Sequence, residues 1–123
     1  MILADTTIWA DHFRNADAEL TELLESGDIA MHPFVLGEIA LGLLRKRTQA
    51  LSGLRKLPSL RVAAPEEVLE LIEHHKPVAG GVGYIDVHLL ATTLMTSSCR
   101  LWTRDKRLNS LAMQAGVSFR PAH

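Results

Sequence analysis

Short apolar segments alternate with helical segments along this chain, and this alternation is what most limits the folds open to it. Five segments are short and apolar enough to be strands, at residues 1–5, 28–32, 60–64, 99–103 and 117–120. Because one or two helical segments separate each strand from the next, the strands are expected to pair in parallel through crossover connections. The sequence therefore predicts an α/β fold, a three-layer α/β/α sandwich around a small, mainly parallel central sheet.

The helical segments carry recognisable start and stop signals. Pro33 and Pro65 suit the first turn of a helix, and Gly27 suits the position that follows the last turn. A glycine-rich stretch at 79–83 predicts a loop. The predicted helices cover residues 6–13, 17–26, 33–46, 49–57, 65–75, 84–98 and 105–116.

Length and composition favour one domain that lies outside membranes. With 123 residues, 47% of them hydrophobic, the chain can bury a core, and residues 1–123 are predicted to form a single domain. No apolar stretch approaches the ~20 residues of a membrane span, and the start of the chain lacks a signal-peptide pattern, so we expect a cytoplasmic protein. Cys99 is the only cysteine, which excludes an internal disulfide and a cysteine-based zinc site.

Charge is unevenly distributed, although the formal net charge is only -1. Residues 11–28 contain six acids and a single arginine, whereas residues 39–65 contain six basic residues and no acid. Basic segments near isolated acids would suit a polyanion that must approach carboxylates. Solvated helix faces are the commoner explanation of such charge runs, so both interpretations stay open.

Four carboxylates stand at positions that favour a functional site. Asp5 and Asp105 follow predicted strands, and ligands of parallel sheets bind at the carboxyl ends of the strands. Glu38 is expected to project from an apolar helical stripe that faces the core. Asp86 lies near the start of its helix, just beyond the glycine-rich loop. The structural alternatives are helix capping for Asp5 and Asp105, a buried salt bridge for Glu38 and helix-dipole stabilisation for Asp86.

Four bare carboxylates in one pocket would repel one another, and a divalent cation would relieve this repulsion. Oxygen ligands without a usable cysteine indicate a hard metal, Mg²⁺ or Mn²⁺. Such an ion can activate water for attack on a phosphodiester. The residues alone therefore suggest a metal-dependent nuclease.

Four motifs around these acids resemble those of a known family. ADTTIW, LGEIALG, GYIDVHLLA and LWTRDKRL are similar, in order and spacing, to the acidic motifs of PIN-domain ribonucleases, specifically the VapC-type toxins of toxin–antitoxin pairs. The resemblance spans nearly the whole chain. It implies a PIN-like fold and a Mg²⁺- or Mn²⁺-dependent endoribonuclease that leaves 5′-phosphate and 3′-hydroxyl ends. It also implies an RNA substrate, a cognate VapB-type antitoxin and a homodimer.

The resemblance also implies roles for particular residues. The catalytic and metal-binding residues would be Asp5, Glu38, Asp86 and Asp105. The supporting hydroxyls would be Thr6, Thr7 and Thr103. Basic side chains that could steer the RNA backbone are Arg45, Lys46, Arg47, Arg104 and Lys106. Some relatives carry another acid just after the last motif, where Lys106 and Arg107 stand in this sequence, which leaves the choice between one and two metal ions open.

Other interpretations remain at this point. A non-catalytic PIN-like scaffold could bind RNA or a partner without cutting. An aspartate-nucleophile phosphohydrolase is disfavoured, because that class needs a second aspartate where Thr7 stands. Trp9 and Trp102 could stack bases, although Trp102 is expected in the core. The surplus leucines of residues 41–51 fit an antitoxin groove, a dimer contact or intramolecular packing.

Overall fold

A three-stranded parallel sheet lies at the centre of the computed structural model, which describes residues 1–75 and 81–121. The strands are β1 (Ile2–Ala4), β2 (Ile29–Ala30) and β3 (Arg100–Trp102), in the order β2-β1-β3. The helices of the described ranges are α1 (Thr6–Arg14), α2 (Ala18–Glu25), α3 (Pro33–Leu41), α4 (Arg47–Arg55), α5 (Pro65–His75), α6 (Tyr84–Met95) and α7 (Lys106–Gln114). This architecture confirms the predicted α/β sandwich with a small parallel sheet.

The sheet register brings the ends of β1 and β3 together. Leu3 pairs with Leu101 and Ala4 pairs with Trp102. One residue later, the backbone N–H of Asp5 donates to the carbonyl oxygen of Trp102 at 3.0 Å. The chain segments that leave β1 and β3 therefore start side by side at the carboxyl edge of the sheet.

The core lies on both sides of β1, which explains why this strand is apolar throughout. Leu3, Ile8, Leu101 and Leu108 are fully buried there. Trp9 and Trp102 also belong to this core, at 2% and 3% exposure, so neither presents a face on which a base could stack. In the described part of the chain, no helix has the length and apolar character needed to cross a membrane.

The predicted strand at residues 60–64 is wrong. The segment just before these residues forms only an isolated parallel bridge, between Met31 and Ser59. Two backbone groups that could pair with another strand instead form hydrogen bonds with side chains. The hydroxyl of Thr92 donates to the carbonyl of Arg61, and the N–H of Ala64 donates to the carboxylate of Glu67, each at 2.8 Å.

The predicted closing strand at 117–120 is reduced to a single parallel bridge between Leu101 and Ser118. The N–H of Phe119 donates to the carbonyl of Leu101 at 2.9 Å, but Pro121 has no N–H with which to extend the ladder. The predicted loop at 79–83 is described only from Gly81 onward, and its first two residues lie outside the described ranges.

The prediction that the third helix continues to residue 46 is also wrong. Helix α3 ends at Leu41, and the N–H of Gly42 turns back to the carbonyl of Ile39 at 3.0 Å. The guanidinium of Arg47 then donates to the carbonyls of Ala40 and Gly42. These contacts satisfy carbonyls at the end of α3 that have no partner within the helix. Helix α5 (Pro65–His75) has its predicted bounds, and the bounds of the remaining helices differ from the predicted ones by up to three residues.

Candidate active site

Asp5 lies at the carboxyl end of β1 and is also the N-cap of α1. Its Oδ1 accepts hydrogen bonds from the backbone N–H of Thr7 at 3.0 Å and of Ile8 at 3.4 Å, and from the Thr7 hydroxyl. Its Oδ2 accepts a hydrogen bond from the Thr103 hydroxyl. Burial raises the pKa of Asp5 above its usual value, although the hydrogen bonds from Thr103, Thr7 and Ile8 act in the opposite direction. Donors from two elements therefore fix the orientation of this carboxylate.

Asp105 occupies the matching position after β3, as the N-cap of α7. Its Oδ1 accepts from the backbone N–H groups of Arg107 and Leu108, each at 2.9 Å. The N–H of Asp105 donates to the hydroxyl of Thr103 at 3.0 Å, and that hydroxyl in turn donates to Asp5. Thr103 therefore joins the two aspartates by consecutive hydrogen bonds.

Glu38 is exposed, so the prediction that it faces the core is wrong. The buried residues of α3 are Val35 and Ile39, and the helix is apolar on most sides, which hides its core face in the sequence. The hydroxyl of Thr6 donates to Oε1 of Glu38 at 2.7 Å. In the described residues Glu38 forms no ion pair, so the buried salt bridge considered as an alternative is also absent.

Asp86 lies in the first turn of α6 and is partly buried. Burial, followed by the negative charges of Asp5, Asp105 and Glu38, raises the pKa of Asp86 to about 6. The charges of the three other predicted acids thus all act on Asp86, although Asp5 and Asp105 lie 100 residues apart in the sequence. A Cβ built on Gly83 would lie 3.9 Å from Oδ2 of Asp86, so the loop before α6 also approaches this carboxylate.

The donor set fits a hard divalent cation in its chemistry and its charge. All four groups are carboxylates, and their repulsion at Asp86 is what a cation would relieve. The ligand spacing is not preformed, however. Within residues 1–75 and 81–121, no three histidine, cysteine or acidic side chains are close enough together to hold an ion.

Of the five basic side chains predicted to steer RNA, two are bound to other groups of the protein. Arg47 is occupied by the carbonyls at the end of α3, and Arg104 forms ion pairs with Asp11 and Asp17. The remaining exposed side chains are Arg45, Lys46 and Lys106.

Sequence reasoning did not place Arg107 at the site. Its guanidinium lies against Gly81, where a Cβ would be 2.7 Å from Nη1. The glycine-rich composition of the loop was the signal of a close approach, but the sequence does not reveal which side chain approaches.

Comparisons with known proteins agree with the fold. The PIN domain family matches residues 2–113, a range that includes all four carboxylates. Two curated relatives from two strains of Mycobacterium tuberculosis are each named Ribonuclease VapC32. Each is 40% identical over 119 residues, which cover 97% of this chain and 96% of the relative. The chain therefore belongs to the PIN-domain family, as one of its VapC-type members.

Proposed function

We propose that this protein is an endoribonuclease, the toxin of a toxin–antitoxin pair, and that it hydrolyses RNA with the help of Mg²⁺ or Mn²⁺. The observation that carries the proposal is that three carboxylates lie close enough to a fourth to act on it, since burial and the charges of Asp5, Asp105 and Glu38 raise the pKa of Asp86 to about 6. The name of the VapC32 relatives supports RNA as the substrate and cleavage as the reaction.

In this proposal Asp5, Asp86 and Asp105 would hold the cation, with Glu38 beside them. When bound, Mg²⁺ or Mn²⁺ supplies positive charge to the acidic pocket and makes a water molecule a stronger nucleophile near neutral pH. Thr7 and Thr103 keep the Asp5 carboxylate in one orientation.

Glu38 is suited to proton transfer because it is exposed and held through one oxygen only. Thr6 donates to Oε1, which leaves Oε2 to accept a proton from the attacking water. Attack of the water oxygen on phosphorus from the side opposite the 3′ oxygen would break the bond to that oxygen, which leaves with the bonding electron pair and takes a proton from solvent. The products would be a 5′-phosphate and a 3′-hydroxyl.

A VapB-type antitoxin is the partner we propose, and exposed leucines support a docking surface for it. Leu41 and Leu43 are 89% and 104% exposed. Leu43 lines a groove of about 240 Å³ whose lining also includes Thr6 and Glu38. A segment seated in this groove would reach the acidic pocket and block it.

We also propose a homodimer. The exposed apolar side chains that could contact a second copy are Leu69 of α5 and Leu94 and Met95 of α6.

The direct test is cleavage of a mixed RNA panel by purified, antitoxin-free protein with Mg²⁺, with Mn²⁺ and with EDTA. We expect cleavage that requires the metal and is abolished by Asp5→Asn, because asparagine keeps the helix cap but removes the charge. Glu73→Gln, an exposed acid of α5, is the matched control and should retain full activity. Adaptor ligation that depends on a 5′-phosphate checks the product ends. Undiminished cleavage in EDTA, or by Asp5→Asn, would contradict the metal mechanism.

A non-catalytic scaffold that binds RNA or a partner is the second candidate, and the lack of preformed ligand spacing among the described side chains favours it. Titration calorimetry with Mn²⁺ separates the two candidates. Binding that disappears in Asp86→Asn supports the nuclease, whereas a folded protein that binds no metal supports the scaffold.

A further inference from the structure

Arg104 lies between Thr103 and Asp105 and is held by two acids. Its Nη1 donates to Oδ2 of Asp11 and its Nη2 donates to Oδ2 of Asp17, each at 2.8 Å. The carbon of the guanidinium also lies 6.0 Å from the ring centroid of Trp102. Charge-assisted hydrogen bonds from both ends of one guanidinium fix its orientation as well as its position.

The two acids belong to different elements. Asp11 lies in α1, whereas Asp17 is the N-cap of α2 and accepts from the N–H of Leu20 through its other oxygen at 2.9 Å. The side chain of Arg104 therefore ties the loop after β3 to both helices.

The backbone of Arg104 reaches the site directly. Its N–H donates to the hydroxyl of Thr7 at 3.0 Å, and this hydroxyl donates to Oδ1 of Asp5. On the preceding residue, the Thr103 hydroxyl donates to Oδ2 of the same carboxylate. Residues 103–105 thus reach both oxygens of Asp5, Oδ2 directly through Thr103 and Oδ1 through the Thr7 hydroxyl, and Arg104 is the residue that anchors them.

We propose that Arg104 is a positioning residue of the active site: by fastening residues 103–105 to α1 and α2, it holds Thr103 and Asp105 in register with Asp5. This inference rests on the proposed nuclease function. It replaces the sequence-based interpretation of Arg104 as a contact to the RNA backbone, because both ends of the guanidinium are engaged by carboxylates of the protein.

The two interpretations predict opposite effects when the acids lose their charge. If Arg104 fastens the loop, Asp11→Asn combined with Asp17→Asn loosens it and lowers kcat. If Arg104 binds RNA, the same substitutions free the guanidinium and lower KM. Asparagine at position 17 still caps α2, so the helix start is preserved.

The experiment is steady-state cleavage of one RNA substrate by Arg104→Ala, Arg104→Lys and the Asp11→Asn, Asp17→Asn double variant. Arg14→Gln is the matched control, because Arg14 also pairs with Asp11 but does not contact residues 103–105 in the described structure. We expect kcat to fall at least about tenfold in Arg104→Ala and in the double variant, with KM within about twofold, since small misplacements of catalytic groups are costly. Arg104→Lys should recover part of kcat, and Arg14→Gln should match the wild type. A lower KM with unchanged kcat in the double variant would overturn the proposal.

Amide hydrogen exchange without RNA supplies a readout that does not depend on activity. The N–H groups of Arg104 and Asp105 donate to Thr7 and Thr103, so both should exchange faster in Arg104→Ala and in the double variant. Unchanged exchange at both amides would refute the fastening role. If these amides respond as expected but the wild-type protein cuts no RNA, the nuclease proposal fails and the fastening role does not.

Discussion

At the scale of single residues, the Asp5 carboxylate is a helix cap and a candidate ligand at the same time. Three donors occupy Oδ1, whereas among the described residues only Thr103 donates to Oδ2. Because each carboxylate oxygen has two lone pairs and Oδ2 accepts a single hydrogen bond from the described residues, Oδ2 retains a position for a cation. The two roles that the sequence left open for this residue are therefore compatible.

Removing the Thr103 hydroxyl tests how much this orientation matters. Thr103→Val deletes the donor to Asp5 and the acceptor for the N–H of Asp105, so we expect at least a tenfold loss of kcat and a loss of about 1–2 kcal/mol in the free energy of unfolding. Urea unfolding and RNA cleavage measure the two effects. Thr93→Val is the control, because this buried hydroxyl donates only to a carbonyl of its own helix. Full activity of Thr103→Val would refute the orienting role.

Asp86 makes the metal-free protein less stable at neutral pH. Its pKa is raised to about 6, so the folded state binds the proton more tightly than the unfolded chain and stability declines as pH rises from 4 to 6. Asp86→Asn should therefore raise the free energy of unfolding at pH 7 by about 1–2 kcal/mol, after allowance for solvent screening of a half-exposed group, and have little effect at pH 4. Thermal unfolding in EDTA measures this. An equal gain at both pH values would exclude electrostatic repulsion as the cause.

His32 has the opposite pH dependence. It is fully buried, its Nδ1 accepts from the N–H of Phe34, and burial and the charge of His88 lower its pKa to about 4. Folding favours the neutral imidazole. The free energy of unfolding is therefore not reduced by His32 above pH 6.5, and it declines as pH falls from 6.5 to 4. His32→Asn keeps an N-cap and cannot titrate. Between pH 7 and pH 4, we expect the free energy of unfolding to fall less in this variant than in the wild type, and the difference should be up to about 3 kcal/mol. Parallel pH profiles would refute this.

At the scale of elements, the end of α3 depends on a side chain from the next helix. Arg47 donates to the carbonyls of Ala40 and Gly42, so Arg47→Ala should lower the free energy of unfolding by about 1 kcal/mol. Because this guanidinium is occupied, KM for RNA should not change. Arg55→Ala, an exposed arginine at the end of α4, is the control for charge removal. A raised KM in Arg47→Ala alone would restore the sequence-based interpretation that Arg47 contacts RNA.

Elements whose local signals agree were predictable from the sequence. In β1–α1 and in β3–α7, an apolar strand is followed by an aspartate that caps the next helix. The hydrophobic pattern and the capping residue therefore predict the same boundary between strand and helix. Residues 60–64 are apolar enough for a strand, but after the bond from the N–H of Leu60 to Met31, the carbonyl of Arg61 and the N–H of Ala64 bond to side chains of Thr92 and Glu67, which no local pattern reveals. The exposure of Glu38 was missed for a related reason, because α3 is apolar on most of its sides.

At the scale of the whole molecule, topology made the proximity of Asp5 and Asp105 predictable, whereas the contacts that support these residues were not. Parallel strands bring their carboxyl ends to one edge, which places Asp5 beside Asp105 without any knowledge of side-chain packing. The pairing of Arg104 with Asp11 and Asp17 spans 93 and 87 residues. Nothing in the charge pattern selects those two acids from the others in residues 11–28.

Ion pairing inside the protein also limits the positive charge available to RNA. The molecule has a net charge of -1, and Arg14, Arg61 and Arg104 are paired with its own acids. The exposed basic residues that remain near the ends of α3 and β3 are Arg45, Lys46, Lys106 and Arg107. Few phosphate contacts are therefore expected.

The salt dependence of RNA binding measures this number. For single strands each phosphate contact contributes about 0.7 to the slope of log K against log salt, so four contacts give a slope of about -3 at most. Binding is measured with Asp5→Asn, which prevents cleavage, between 50 and 300 mM salt. Adding Lys106→Gln should make the slope about 0.7 shallower, whereas adding Arg104→Gln should leave it unchanged, because that charge is already paired. A slope much steeper than -3, or a slope that depends on Arg104, would mean that RNA displaces the internal acids from their arginines.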